Sequence, residues 1–189
     1  MIDFRRLLGR SGAERTDRLH IGSGSVALPG WLNIDNQAYP GVDRVVDVTR
    51  GLPFRGVRFI FAEHFLEHLR FEDARVLLAD CRRALRRGGV LRLSTPNLDW
   101  VWASHYRQVL TPELEVLACF GMNRAFRGWG HQFLWNLATL TSALRDAGFH
   151  DVARCAYGQS EHEELRGLEH HEQNEDWEGH SHILIVEAW

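Results

Sequence analysis

Apolar residues in the first hundred positions fall into short runs separated by turn formers. Residues 17–22 and Trp31–Asp35 read as two strands, with the glycines of "GSGS" and the Pro29-Gly30 pair between them. "VDRVVDV", 42–48, is rich in valine and reads as a third strand. "VRFIFA", 57–62, is largely apolar rather than alternating, as suits a buried parallel strand. The spacing then changes. In "FEDARVLLADCRRALRRGG", Ala74, Leu77, Leu78, Cys81 and Leu85 recur on one helical face. Glu72 and Asp73 sit in its first turn and Arg82, Arg83, Arg86 and Arg87 near its end, as the helix dipole favours. Gly88 and Gly89 are expected to end it. "VLRLSTP", 90–96, reads as a fifth strand stopped by Pro96.

Thr111 and Pro112 form an N-cap and first-turn pair that opens a helix to about Phe126. Another helix runs from Asn136 to Ala147, closed by Gly148. "HDVARCAY" and the terminal "HILIVEAW" read as strands. The alternation predicts an α/β, Rossmann-like three-layer domain on a mostly parallel sheet. At 189 residues the whole chain, 1–189, reads as a single domain with no internal repeat. Within it, 98–135 is an aromatic, helical cap and 158–180 a polar loop rich in histidine and acid.

Composition narrows the chemistry. All 22 side-chain cations are arginine, which excludes Schiff-base catalysis, lysine-bound pyridoxal phosphate and a Walker-type P-loop. A net charge of −3 gives no electrostatic case for nucleic acid or an anionic membrane. Cys81, Cys119 and Cys155 are odd in number and form no C-x-x-C, so a reducing, cytoplasmic location is expected. "MIDFRRLLGRSG" is too polar for a signal peptide, and no apolar run approaches membrane length.

Gly22 and Gly24 follow the first strand, where glycine lets a ligand approach the backbone. Asp35, at the end of the second strand, can accept from both hydroxyls of a ribose. Between Gly24 and Trp31 there is no room for the helix whose N-terminus a pyrophosphate needs. The pattern fits a nucleoside without phosphate, of which S-adenosyl-L-methionine is one. Asp47 lies past the third strand, within reach of an adenine amino group, and Glu63 and His64 lie past the fourth. Asp35 and Asp47 can alternatively cap turns, and the glycines can serve a tight bend alone.

The ordered set GSG…PGWLNID, DVTRGLPF, EHFLEHL, LRRGGVLRLSTPN and LTSALRDAGF resembles the class I S-adenosylmethionine-dependent methyltransferases over roughly residues 17–155. It is most similar to a small bacterial branch with a shortened first crossover. The resemblance implies a seven-stranded sheet with an antiparallel last strand. It implies that Gly22, Ser23 and Gly24 line the methionine end of the cofactor, and that Asp35, with Asn36 beside it, binds the ribose. Asp47 and Val48 would hold the adenine, and Ala62, Glu63 and His64 would close the cleft near the sulfonium. S-adenosyl-L-homocysteine would be the product.

Methyl transfer to an O, N or C atom is an in-line displacement, so alignment supplies much of the rate. A base is needed only where the acceptor must lose a proton. His64 and His131 are the candidates, with His68 a third. His64 and His68 stand four apart beside Glu63 and Glu67, a metal-like spacing; but E-H-F-L-E-H is not H-E-x-x-H, and no metal is expected. The aromatic cap points to a small-molecule acceptor that is planar or apolar. Two other classes remain: an NAD(P)-dependent oxidoreductase, and a catalytically silent interaction domain of the same fold.

Overall fold

The computed structural model describes residues 14–107, 111–171 and 174–189, with side chains from residue 16 onward. The amino-terminal segment read for a signal peptide lies outside the described residues, as do 108–110 of the cap and 172–173 of the polar loop.

The strands are β1 (Glu14–Arg15), β2 (Arg18–Ile21), β3 (Leu32–Asp35), β4 (Arg44–Val45), β5 (Phe54–Arg55), β6 (Val57–Glu63), β7 (Leu85–Pro96), β8 (Val152–Arg154) and β9 (Ile183–Ala188). The helices are α1 (Phe71–Ala84), α2 (Leu98–His105), α3 (Pro112–Arg127) and α4 (Leu137–Asp146). Seven strands form one sheet in the order β4-β3-β2-β6-β7-β9-β8, and β1 and β5 make a separate parallel pair. The strands from β4 to β7 pair in parallel, and β9 runs antiparallel to both its neighbours. The antiparallel final strand is as expected.

Alternation along the inner strands sorts side chains onto two unlike faces. Leu19, Ile21, Ile60, Ala62, Leu91 and Leu93 point to the helical face. There they meet Ala74, Leu77, Leu78 and Cys81 of α1 and Leu140, Ala143 and Leu144 of α4. Phe59, Phe61 and Val90 point the other way, against Leu28, Trp31 and Leu165. The layer on that second face is built of loops. One is the short β2–β3 crossover, turned at Gly30 (φ 77°) and held by the buried Asn33 side chain. Asn33 accepts from the Leu28 amide at 2.8 Å and donates to the Leu28 and Trp31 carbonyls. The other is a strap, residues 156–171, whose single 3₁₀ turn, Glu163–Leu165, drives Leu165 fully into the sheet.

Several boundaries differ from the sequence reading, the strand read over "HDVARCAY" shortening to Val152–Arg154 among them. The third strand shrinks from 42–48 to Arg44–Val45, because Asp43 turns its carboxylate back to the Asn33 amide at 2.8 Å and Asp47 caps a 3₁₀ turn. Helix α1 ends at Ala84, since Leu85 is already extended (φ −66°, ψ 140°). Gly88 and Gly89 therefore do not cap it. Leu85 pairs with Val57 and Val90 with Phe59, so 86–89 bulge opposite Arg58 alone. A Cβ on Gly89 would stand 3.0 Å from the Val57 and Arg58 carbonyl oxygens, and Gly88 takes φ 72°. Thr111, Pro112 and Asn136 start α3 and α4 as expected, each cap accepting from its helix's backbone.

Candidate functional site

The carboxyl ends of β2, β3 and β6 meet at one rim. Gly22 (φ 68°) lies under the Phe65 ring, which any side chain at that position would strike. Gly24 (φ 51°) faces space with no atom within 4 Å of where a Cβ would stand. Its amide donates to Asp35 Oδ2 at 2.9 Å, and Asp35 Oδ1 accepts from Gln37 at 3.1 Å. Asp35 is thus the clamp of the glycine turn, and each oxygen keeps a lone pair for a further donor. Ser23 is buried, its Oγ without a hydrogen-bond partner among the described residues. Asn36 lies exposed beside this group.

Asp47 is exposed and caps its own turn, accepting from the Thr49 hydroxyl at 2.6 Å and the Thr49 amide at 3.1 Å. The hydroxyl bond first, then the amide bond, hold its carboxyl below the ordinary carboxylate range. Val48 beside it is buried. Ala62 turns into the helical core, while Glu63 and His64 (φ 45°) face the strap.

The strap closes on Glu63. Its carboxylate accepts from the His170 amide at 2.9 Å and the His171 amide at 3.1 Å, with the His171 Nδ1 at 3.4 Å. Burial alone would push the Glu63 carboxyl up, but bonds from His171 and His170 outweigh it and hold it below the usual value. The same contact with Glu63 raises His171, whose ring stacks on His64 at 4.0 Å. Farther down, Arg92 of β7 is fully buried and pins the strap. It donates to Glu169 at 2.7 Å, to Glu187 at 2.5 Å and to the Gln159 carbonyl at 3.0 Å.

On the far side of His64 opens a cavity of about 870 Å³. Six histidines line it: His64, His68, His105, His131, His171 and His182. Trp100 of α2 and Trp129 after α3 add aromatic walls. The cap aromatics divide: Trp135 is wholly buried core, whereas Trp102, Phe120 and Phe126 are exposed. His131 Nδ1 donates to the Ala125 carbonyl at 2.6 Å, which leaves Nε2 with a free lone pair. Gln132 and Phe133 donate backbone amides to the Glu67 carbonyl, locking this segment beside His68.

No protein-family model matches the chain, and no curated protein matches it either. Solved structures do. A SAM-dependent methyltransferase from Archaeoglobus fulgidus is 17% identical, with a TM-score of 0.58 over 97% of this chain and 89% of that one. DhpI in complex with SAH is 16% identical at TM-score 0.54, covering 98% and 80%. The methyltransferase SibL in apo form gives 16% and 0.55, covering 93% of this chain and 50% of its own. The chain has the class I methyltransferase fold.

The residues fit such a cofactor. An open left-handed Gly24, a carboxylate with spare lone pairs and an orphan serine hydroxyl are the groups a nucleoside would need, and among the described residues no helix starts there to hold a phosphate. The structure brings Gly22, Ser23, Gly24 and Asp35 into one cluster and Glu63 and His64 into a second. His131 and His68 stand in the adjoining cavity. His105, His171 and His182 were not singled out as catalytic by the sequence, because they come from α2, the polar stretch and the start of the terminal strand, separate places in the chain. No helix among the described residues is long and apolar enough to cross a membrane.

Proposed function

We propose that this chain is an S-adenosylmethionine-dependent methyltransferase that acts on a small-molecule acceptor held in the histidine-lined cavity. The observation that carries this is the Gly24 turn, open on its outer face and clamped by Asp35, one strand away from a cavity that begins at His64. Structures of the same fold solved with SAH, DhpI and PigF among them, support the cofactor class. Bound there, the cofactor supplies an electrophilic methyl group on a sulfonium, open to in-line displacement. Asp35 orients the ribose, and Ser23 and Gly24 receive the amino-acid end. His64, beneath the strap, and His131, through its free Nε2, are placed to take a proton from an acceptor that carries one. The strap, held by Glu63, keeps water from the reacting atoms.

Thermal shifts test this reading directly. SAH raises the melting midpoint, and NAD and NADP leave it unchanged. Asp35→Ala weakens SAH about tenfold or more, roughly 1.5–3 kcal/mol of hydrogen bonding to a charged acceptor. Asp35→Asn, which keeps one accepting oxygen, falls between. A Cβ at Gly24 has no protein atom within 4 Å, so Gly24→Val fills the open space; it folds, with a backbone cost of about 1–2 kcal/mol, and no longer responds to SAH. Normal SAH binding by Gly24→Val would move the cofactor off this turn, and a shift with NAD alone would replace methyl transfer by hydride transfer.

A further inference from the structure

Among the described residues, Glu67 carries a buried carboxylate oxygen that receives no hydrogen bond. Glu67 is completely buried. Its Oε2 accepts from the Thr95 hydroxyl at 3.0 Å, but its Oε1 has no hydrogen-bond partner. His64 Nδ1 stands 3.3 Å from it, an ion-pair contact when the ring is protonated but not a hydrogen bond. A buried, half-satisfied carboxylate is costly, and a cation is the usual remedy.

The surroundings supply the remaining ligands. The ligating atoms of Glu67, His68 and His131 all lie within 4.8 Å of one another. His131 gives its Nδ1 proton to the Ala125 carbonyl, a bond that fixes the tautomer and aims a lone pair from Nε2, as metal-bound histidines require. The Glu67 carbonyl accepts from Gln132 at 2.7 Å and Phe133 at 3.2 Å, so the backbone itself holds His131 against the Glu67–His68 pair. His68 and His131 both line the cavity. The sequence lacks H-E-x-x-H, but folding supplies the missing histidine from beyond α3.

We propose that Glu67, His68 and His131 bind a divalent first-row transition-metal ion whose open positions face the cavity. Two imidazoles and one carboxylate suit Zn²⁺, Mn²⁺ or Fe²⁺ rather than Ca²⁺, and three protein ligands leave room for an exchangeable one. The exchangeable position faces the cavity in which the acceptor would sit; that link to the acceptor rests on the methyltransferase reading, whereas ion binding does not. The Nε2 lone pair serves one partner at a time, so the ion takes His131 out of the role of base.

The test uses the full chain stripped with a chelator and titrated with MnCl₂ or ZnCl₂. Calorimetry and the electron paramagnetic resonance of Mn²⁺ count the sites, and the thermal midpoint is followed in parallel. One equivalent binds and raises the midpoint. His68→Ala and His131→Ala each weaken binding at least tenfold, while His105→Ala, elsewhere on the same cavity wall, does not. His68 is exposed, so its variant folds even where a change at Glu67 does not. No binding at millimolar ion, or equal loss in all three histidine variants, overturns the site. Each variant is also titrated with SAH. Ion binding without SAH binding removes the methyltransferase reading and keeps the site; SAH binding without ion binding does the reverse.

Discussion

The two faces of the sheet are covered by different physics. On one, α1 and α4 lay apolar stripes over Leu19, Ile21, Ile60 and Leu91, with the buried Asp80 of α1, which accepts from the Leu52 amide, as a polar exception. On the other, a ten-residue crossover (22–31) and the strap do the covering, and a buried arginine between two buried glutamates does much of the holding. A helix satisfies its own backbone before it packs, so an apolar stripe suffices. A loop arrives with its amides and carbonyls unpaired and must be given partners by the sheet. Arg92, Asn33 and Glu63 are those partners: Arg92 takes the Gln159 carbonyl, Asn33 the Leu28 amide and carbonyl, and Glu63 the His170 and His171 amides. The face with polar fastening is also the one that reaches the candidate site.

The contrast is broken most forcibly at Arg92. Arg92→Met leaves Glu169 and Glu187 buried beside one another without a cation, and the expected loss is about 3–5 kcal/mol in urea unfolding. Adding Glu169→Gln and Glu187→Gln recovers a large part of it, because the uncompensated charge is the main cost. Leu144→Ala in α4 costs about 2–5 kcal/mol through its cavity, and no neighbouring substitution restores it. Were Arg92→Met nearly neutral, the loop-covered face would be held by apolar contact like its opposite.

A smaller effect comes from Leu165, the apolar foot of the strap. Leu165→Ala removes its contact with the layer of Phe59, Phe61 and Val90 and costs about 2–3 kcal/mol, near the low end for buried leucine, since a single 3₁₀ turn can settle into the gap. Its sharper signature is local. Hydrogen exchange quickens at the His170 and His171 amides well before the α1 amides respond, because the strap can lift while the helical face stays closed. Uniform quickening would mean the two faces open as one unit.

The same division decides what the sequence discloses. Helix α1 is legible from Ala74, Leu77, Leu78 and Cys81, and β6 from "VRFIFA", because each pattern is local and repeats. The Gly22–Gly24 turn and Asp35 are legible as a pair, since the crossover between them is short. Arg92 is not: its partners lie 77 and 95 residues away, and Glu169 and Glu187 look like any surface acid. The strap therefore read as a polar loop, where the structure gives it a buried leucine and two fastenings. Asp47 was legible as either a ligand or a cap; in the structure it caps, at the cost of the third strand's expected length. The Glu67–His68–His131 grouping needed the fold, because only the pairing of Glu67 with Gln132 and Phe133 brings the third member near.

The gentlest probe of the polar fastening is pH, acting on His171 and Glu63. Glu63 titrates below its ordinary 4.5 in the folded chain, so its contribution is present above that pH and is lost on further acidification. His171 titrates above its ordinary 6.5, so its contribution is complete below 6.5 and is lost as pH rises through the folded value. Both contribute fully between those limits, where the strap's tip is held best. Half of the His171 side chain is exposed, so solvent screens the pair and the effect on global stability is small. It is visible in exchange rates instead, once corrected for the intrinsic pH dependence of amide exchange. Protection at the His170 and His171 amides weakens as pH rises above 6.5, while α1 amides hold theirs. In His171→Gln the drop disappears, because the side chain no longer titrates although the backbone amides still reach Glu63. A drop that persists in that variant would assign the pH response to another group, and the stacked His64 ring is the neighbour to examine next.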